Sequence, residues 1–203
     1  MSVSVQLHHE EDLISKTGMW LFLLTEMLLF GGLFVVYSVY RYINTDAFHL
    51  AASELSVVTG TINTAILLIS SSTIAMSITA LQKNNKKLSL ILLGITILLG
   101  LAFLVNKYFE WGHHIKEGIY PGSQILAMRG QGDVLFYGLY FFMTGLHALH
   151  IIVGLAFIII IGSFILKGKV NSGNYVLLEN SGLYWHLVDL IWIFLFPLFY
   201  LIT

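Results

Sequence analysis

From Val134 to Leu166 the chain runs without a single Asp, Glu, Lys or Arg, yet carries His147 and His150 half-way along. No soluble core needs so long an uncharged helix. A bilayer does, because about 20 apolar residues cross its hydrocarbon and every backbone polar group there must be satisfied internally. Two imidazoles inside such a run are costly in lipid and are the first place to look for function.

The rest of the chain agrees with a polytopic membrane protein. It is 57% hydrophobic and only 10% charged over 203 residues, which leaves little mass for a water-exposed domain. A net charge of −1 with no basic tract argues against nucleic acid as a partner. The absence of cysteine excludes disulfides and thiolate-bound metals. Residues 1–12 hold no Lys or Arg, so they lack the basic region of a cleavable signal, and the first apolar segment is expected to be retained.

Five stretches are long and apolar enough to span: 17–42, 55–82, 88–112, 133–166 and 181–203. The expectation is an all-α fold with a single transmembrane domain over 1–203. Pro121 falls in the longest connection, and Pro197 predicts a modest kink in the last helix. With an odd number of spans the termini lie on opposite sides. Lys16, Lys83, Lys86, Lys87, Lys167 and Lys169 then share one side, against Arg41, Lys116 and Arg129 on the other. The excess of basic residues predicts an inside amino terminus and an outside carboxyl terminus.

At about 1.5 Å per residue, Glu26, His147, His150, His186 and Asp189 all fall towards the inner half of the bilayer. Nothing on its own helix can pair with Glu26, whose successors are Met27-Leu28-Leu29-Phe30. It is read either as a proton-exchanging or lipid-contacting site, or as a protonated carboxyl hydrogen-bonded to a neighbouring helix. His147 and His150 are three apart and share a helical face, with Gly145 and Ala148 permitting close helix approach. His186 on another span would be needed opposite one of them for a b-type haem. Lys107 and Glu110, also three apart, are expected to pair near the outer end of the third span. Asn63 and the Ser70-Ser71-Ser72-Thr73 stretch supply small and hydroxyl groups for tight interhelical packing. The adjacent histidines His8-His9 and His113-His114 read as surface decoration rather than a metal site, because neighbours on a helix point apart.

Taken in order, these segments resemble subunit III of the haem–copper respiratory oxidases. The matching motifs are Gly18-Met19-Trp20-Leu21-Phe22 with Thr25-Glu26 and Phe30-Gly31-Gly32-Leu33-Phe34, then Asn63-Thr64-Ala65-Ile66-Leu67-Leu68 with Ser71-Ser72, and Phe109-Glu110-Trp111. The most specific is Phe141-Phe142-Met143-Thr144-Gly145-Leu146-His147-Ala148-Leu149-His150-Ile151-Ile152-Val153-Gly154, followed by Tyr184-Trp185-His186-Leu187-Val188-Asp189 with Trp192. The mitochondrial form has two further helices at its start, so the chain is similar to short five-helix prokaryotic versions.

The resemblance implies a non-redox accessory subunit in aerobic respiration. It would have no cofactor of its own, since haem and copper reside in subunits I and II. It implies those subunits and membrane phospholipids as partners, other respiratory complexes as further ones, structural phospholipid in a cleft, and residence in the bacterial inner membrane. By motif, Glu26 matches the family's carbodiimide-reactive glutamate, and His147, His150, His186 and Asp189 match positions around its lipid cleft. In that reading the chain stabilises the catalytic subunit and supports proton uptake. Two other classes fit the residues less economically: a haem b anchor using His147 or His150 with His186, and an independent proton or ion carrier using Glu26 and Asp189. The electron donor, cytochrome c or quinol, is not encoded in these motifs.

Overall fold

A computed structural model describes residues 3–201, with side chains from residue 13 onward; His8 and His9 therefore lie outside the described side chains. Helix α1 covers Val3–Ile43, α2 Thr45–Ser53, α3 Val57–Gln82, α4 Lys86–Lys116, α5 Gln124–Arg129, α6 Gln131–Leu166 and α7 Val176–Phe196, and a π-helical turn follows over Pro197–Leu201. Among the described residues, five helices are long and apolar enough to cross a membrane: Leu13–Ile43, Val57–Gln82, Lys86–Lys116, Gln131–Leu166 and Val176–Leu201. The chain is a multi-pass membrane protein by these features. Its helices extend past the apolar stretches because polar residues at either end continue the same backbone ladder into the interface.

Local chemistry fixes the turns. Ser56 caps α3 by accepting from the Thr59 N–H, and Asn85 caps α4 by accepting from the Leu88 N–H. Asn84, at φ 58°, reverses the chain between them. The resulting α3–α4 hairpin is stitched by hydroxyls that its apolar pattern does not reveal. Ser77 Oγ lies 2.9 Å from Ser89 Oγ, and Thr73 Oγ1 lies 2.7 Å from Thr96 Oγ1.

Against this hairpin α6 and α7 pack through Trp185. A Cβ added at Gly100 of α4 would lie 2.9 Å from the Trp185 ring, and one at Gly154 of α6 would lie 2.9 Å from it as well. The fully buried indole thus sits where three helices meet, with its N–H donated to Ser70 Oγ at 3.0 Å. Gly145 does not provide the close approach expected of it; a Cβ there would meet open space. Close packing on α6 falls to Gly154, and to Gly132 at its start, where a Cβ would lie 2.5 Å from Ala47 of α2.

Helix α1 is the outlying member, with 11% of its most apolar window buried. It touches the bundle through Leu23, Phe30 and Tyr37. Two short helices lie in the connections between spans. Phe48, Ala51 and Ala52 of α2 are buried, as is Leu126 of α5. Pro197 does more than kink the last helix. From it the chain widens into a π turn that buries Phe199 and Tyr200, and the Tyr37 hydroxyl donates to the Leu198 carbonyl.

Candidate functional site

The interior polar groups fall into layers along the bundle, ordered from the Lys16 end to the Glu54 end. At the first end Lys16 Nζ pairs with Glu179 at 3.0 Å, joining α1 to α7. A cavity of about 340 Å³ lies beside this pair, lined by Lys16, Trp20, Ile78, Asn180, Leu183 and His186 among others. A second cavity of about 200 Å³ also lies between α1 and α7, with an apolar lining that includes Met27, Phe30, Phe34, Leu187 and Phe194.

Glu26 of α1 meets His150 of α6, with Oε2 and Nε2 2.9 Å apart and side chains only 15% and 13% exposed. The other ring nitrogen, Nδ1, lies 2.8 Å from the Leu146 carbonyl. A carbonyl can only accept, so Nδ1 carries a hydrogen. Nε2 then either donates to a Glu26 carboxylate or accepts from a Glu26 carboxylic acid. Both arrangements hold one proton between the two residues and are neutral as a pair, which suits a lipid-facing depth. Phe30 packs edge-on to the imidazole, and Tyr184 of α7 donates to the His150 carbonyl at 3.1 Å.

His186 takes a different neighbour. Its Nδ1 shares a 2.6 Å hydrogen bond with Ser71 Oγ of α3. Asp189, one turn further along α7, is only 3% exposed, and neither of its carboxyl oxygens has a hydrogen-bond partner within the chain. His147 is fully buried between Phe103 and Trp192, with ring centroids at 5.5 and 5.3 Å, and neither of its nitrogens has a partner. The five residues grouped by depth therefore separate sideways into Glu26–His150, His186 with Ser71, and Asp189 and His147 each without a hydrogen-bond partner. A separation of three residues turns His147 and His150 through different sectors of α6, one towards α4 and α7 and the other towards α1.

Lys107 and Glu110 pair as expected, at 3.2 Å and with side chains 1% and 8% exposed. Their partners were not apparent from sequence spacing. Lys107 Nζ donates to Tyr140 Oη at 3.0 Å and Tyr200 Oη at 2.9 Å, and both tyrosines donate to Glu110 Oε1. The ammonium thus donates to both tyrosines and pairs with the carboxylate that they share. It also lies 5.6 Å from the Trp111 ring and 5.5 Å from the Trp192 ring. Asn106 donates to Asn63 Oδ1 at 2.9 Å, so Asn63 bonds across α3 and α4 as well as packing there.

The last layer joins two charged residues outside the spans, Glu54 and Arg129, to Tyr137 of α6. Arg129 Nη1 contacts both Glu54 oxygens, at 2.9 and 2.8 Å, and Tyr137 donates to Glu54 at 2.7 Å. Burial pushes the Glu54 carboxyl up, but the Tyr137 hydroxyl and the Arg129 guanidinium outweigh it and hold it below its ordinary value. The hydrogen bond to Glu54 in turn raises Arg129. This tie between α5, α6 and the end of α2 had no signal in the sequence beyond two charges in connecting segments.

Among the described residues, no group of three or more His, Asp and Glu side chains is arranged to hold a metal ion. His150 has both ring nitrogens engaged within the chain.

Comparison with known proteins shows a match to the family model described as Cytochrome c oxidase subunit III over residues 6–203. A "Probable quinol oxidase subunit 3" from Staphylococcus haemolyticus is 31% identical over 95% of this chain and 90% of its own length. A "Cytochrome c oxidase subunit 3" from Alkalihalophilus pseudofirmus is 31% identical over 91% and 84% respectively. A "Cytochrome bo(3) ubiquinol oxidase subunit 3" from Pseudomonas aeruginosa is 30% identical over 91% and 83%.

Proposed function

The chain belongs to the cytochrome c oxidase subunit III family, and on that premise we propose that it serves as a non-redox accessory subunit that holds lipid and supports proton uptake by the catalytic subunit of a haem–copper oxidase. Family membership places it with other oxidase subunits in a quinol- or cytochrome c-type enzyme. In this proposal its partners are subunits I and II, which carry the haem and copper, and its compartment is the cytoplasmic membrane of a bacterium, with the amino terminus inside.

The observation that carries the reading is the Glu26–His150 pair, held between the loosely attached α1 and the core helix α6. It keeps one proton at an interhelical boundary without requiring a net buried charge. The two neighbouring cavities support the lipid part. One has Lys16, Asn180 and Trp20 at its edge and the other an apolar lining between the same helices, which is the sequence of surfaces a phospholipid headgroup and acyl chain require. The rival haem anchor would need His147 or His150 to face His186. Instead His150 turns to Glu26 and His186 to Ser71.

The test is Glu26→Gln in the assembled oxidase. Electron transfer is expected to persist while proton uptake slows and the enzyme inactivates after fewer turnovers. Unchanged uptake and unchanged turnover lifetime would remove Glu26 from the proposal.

A further inference from the structure

Lys83, Lys86 and Lys87 sit at the turn from α3 into α4, and Lys167 and Lys169 between α6 and α7; all five are exposed. A topological preference for basic residues requires only that they share a side of the bilayer. Here the two turns are also joined. Lys86 Nζ donates to the Leu166 carbonyl at 2.9 Å, across the end of α6, and Ser172 Oγ lies 3.5 Å from Asn84 Oδ1. The lysines therefore make one patch, and nothing nearby in the chain offsets its charge. No Asp or Glu occurs from Leu55 to Phe109 or from Val134 to Leu178, and among the described residues none of the five lysines forms an ion pair. The first acid beyond them, Glu179, is engaged by Lys16 at 3.0 Å. Adjoining the patch on the span side are the exposed side chains of Leu88 and Ile91 of α4 and Leu166 of α6.

We propose that this patch is a second lipid site, one that takes an anionic phospholipid whose headgroup carries no ammonium, such as a phosphatidylglycerol. Clusters of four or more lysines where spans leave the bilayer attract anionic headgroups, and lysine stems lie along apolar surface while their ammonium groups reach the phosphate level. The exposed leucines and isoleucine then meet the start of the acyl chains. This adjoining apolar surface favours a lipid over an acidic protein segment, which would use the charge alone. The sign of the headgroup follows from the missing carboxylates. A zwitterionic headgroup brings its own ammonium, and the patch offers that ammonium nothing but other cations. The cavity beside Lys16 and Glu179 differs, because there a cation and a carboxylate stand together and suit a headgroup of both signs. The chain would thus sort two classes of lipid at one end of its bundle.

Photo-crosslinking of the intact oxidase in phosphatidylcholine vesicles reads this directly. The vesicles carry a trace of either photoactivatable phosphatidylglycerol or photoactivatable phosphatidylcholine at equal mole fraction, and mass spectrometry locates the adducts. Adducts near Leu88 and Leu166 should favour phosphatidylglycerol by about fivefold for each lysine its headgroup reaches. Replacing Lys83, Lys87, Lys167 and Lys169 together by Gln, with Lys86 kept to join the turns, should abolish most of that preference. The same four changes to Arg should retain it, and adducts beside Lys16 and Glu179 should be unaltered in both variants. If the Gln variant does not assemble, salt decides on the wild type. Going from about 0.1 M to about 1 M shortens the screening length from about 10 Å to about 3 Å, and the preference should collapse. Equal yields of the two lipids at these turns, a preference indifferent to both the Gln variant and salt, or a carboxylate-to-lysine crosslink showing the patch covered by an acidic segment of a partner subunit overturns the proposal. The readout involves no turnover, so its failure is separable from a failure of Glu26→Gln to alter proton uptake.

Discussion

Replacing Lys107 by Met removes the cation from a cluster whose other members were built around it. At 3.2 Å from Glu110 its attraction amounts to about 5 kcal/mol at an effective dielectric of about 20. Burying each ion costs several kcal/mol, so the intact pair contributes little net stability. The balance changes when one partner is lost. In Lys107→Met, Glu110 keeps two tyrosine donors but no counter-charge, and the penalty should be about 3–5 kcal/mol. Glu110→Gln strands the ammonium and should cost about as much. The double variant removes both charges and leaves Tyr140 and Tyr200 with an amide oxygen to bond. It should therefore be more stable than either single change, which requires a coupling energy of at least about 3 kcal/mol between the sites. Denaturant titration of the four proteins in mixed micelles, followed by tryptophan emission, measures the cycle. If the double variant loses the sum of the single losses, the two groups are independent and the description of one closed cluster is wrong.

Two further outcomes follow from geometry already given. Gly154→Ala and Gly100→Ala each press a methyl into the buried Trp185 ring, from opposite helices and at 2.9 Å. Each should cost about 1–3 kcal/mol, while Gly145→Ala, facing open space, should cost nothing measurable by the same titration. The Glu54–Arg129 pair predicts an acid dependence. A folded carboxyl held below its ordinary value contributes stability that is complete above the unfolded value, about 4.3, and is lost as pH falls through the lower folded one. With these side chains 42% and 34% exposed, solvent screening limits the contribution to about 1 kcal/mol. Thermal unfolding of wild type should fall more steeply on the acid side than that of Glu54→Gln, and equal slopes would contradict the assignment.

The spans were legible because hydropathy is a property of contiguous residues, and a run such as Val134–Leu166 has few alternatives. The Lys107–Glu110 pair was legible for the same reason, being one turn apart on one helix. Partners separated by the whole fold were not. Nothing near Tyr200 in sequence announces that a π turn after Pro197 delivers its hydroxyl to Glu110, and Ser71 looked like packing because its role depends on where α7 places His186. Depth estimates grouped Glu26, His150, His186 and Asp189, but depth carries no azimuth. Only the helix packing separates the Glu26–His150 pair on α1 and α6 from the Ser71–His186 pair on α3 and α7. The short helices α2 and α5 were missed because their few buried side chains fall below any periodic signal.

Two of the four tryptophans lie within 6 Å of the Lys107 ammonium, Trp111 at 5.6 Å and Trp192 at 5.5 Å. A fixed charge beside an indole shifts the energy of its excited state, whose dipole differs from that of the ground state. The chain therefore carries its own optical voltmeter. The emission colour of Trp111 and Trp192 reports the charge at the heart of the bundle, whereas Trp20, turned outward and 62% exposed, reports the surroundings of α1. No external dye is needed to tell the two apart.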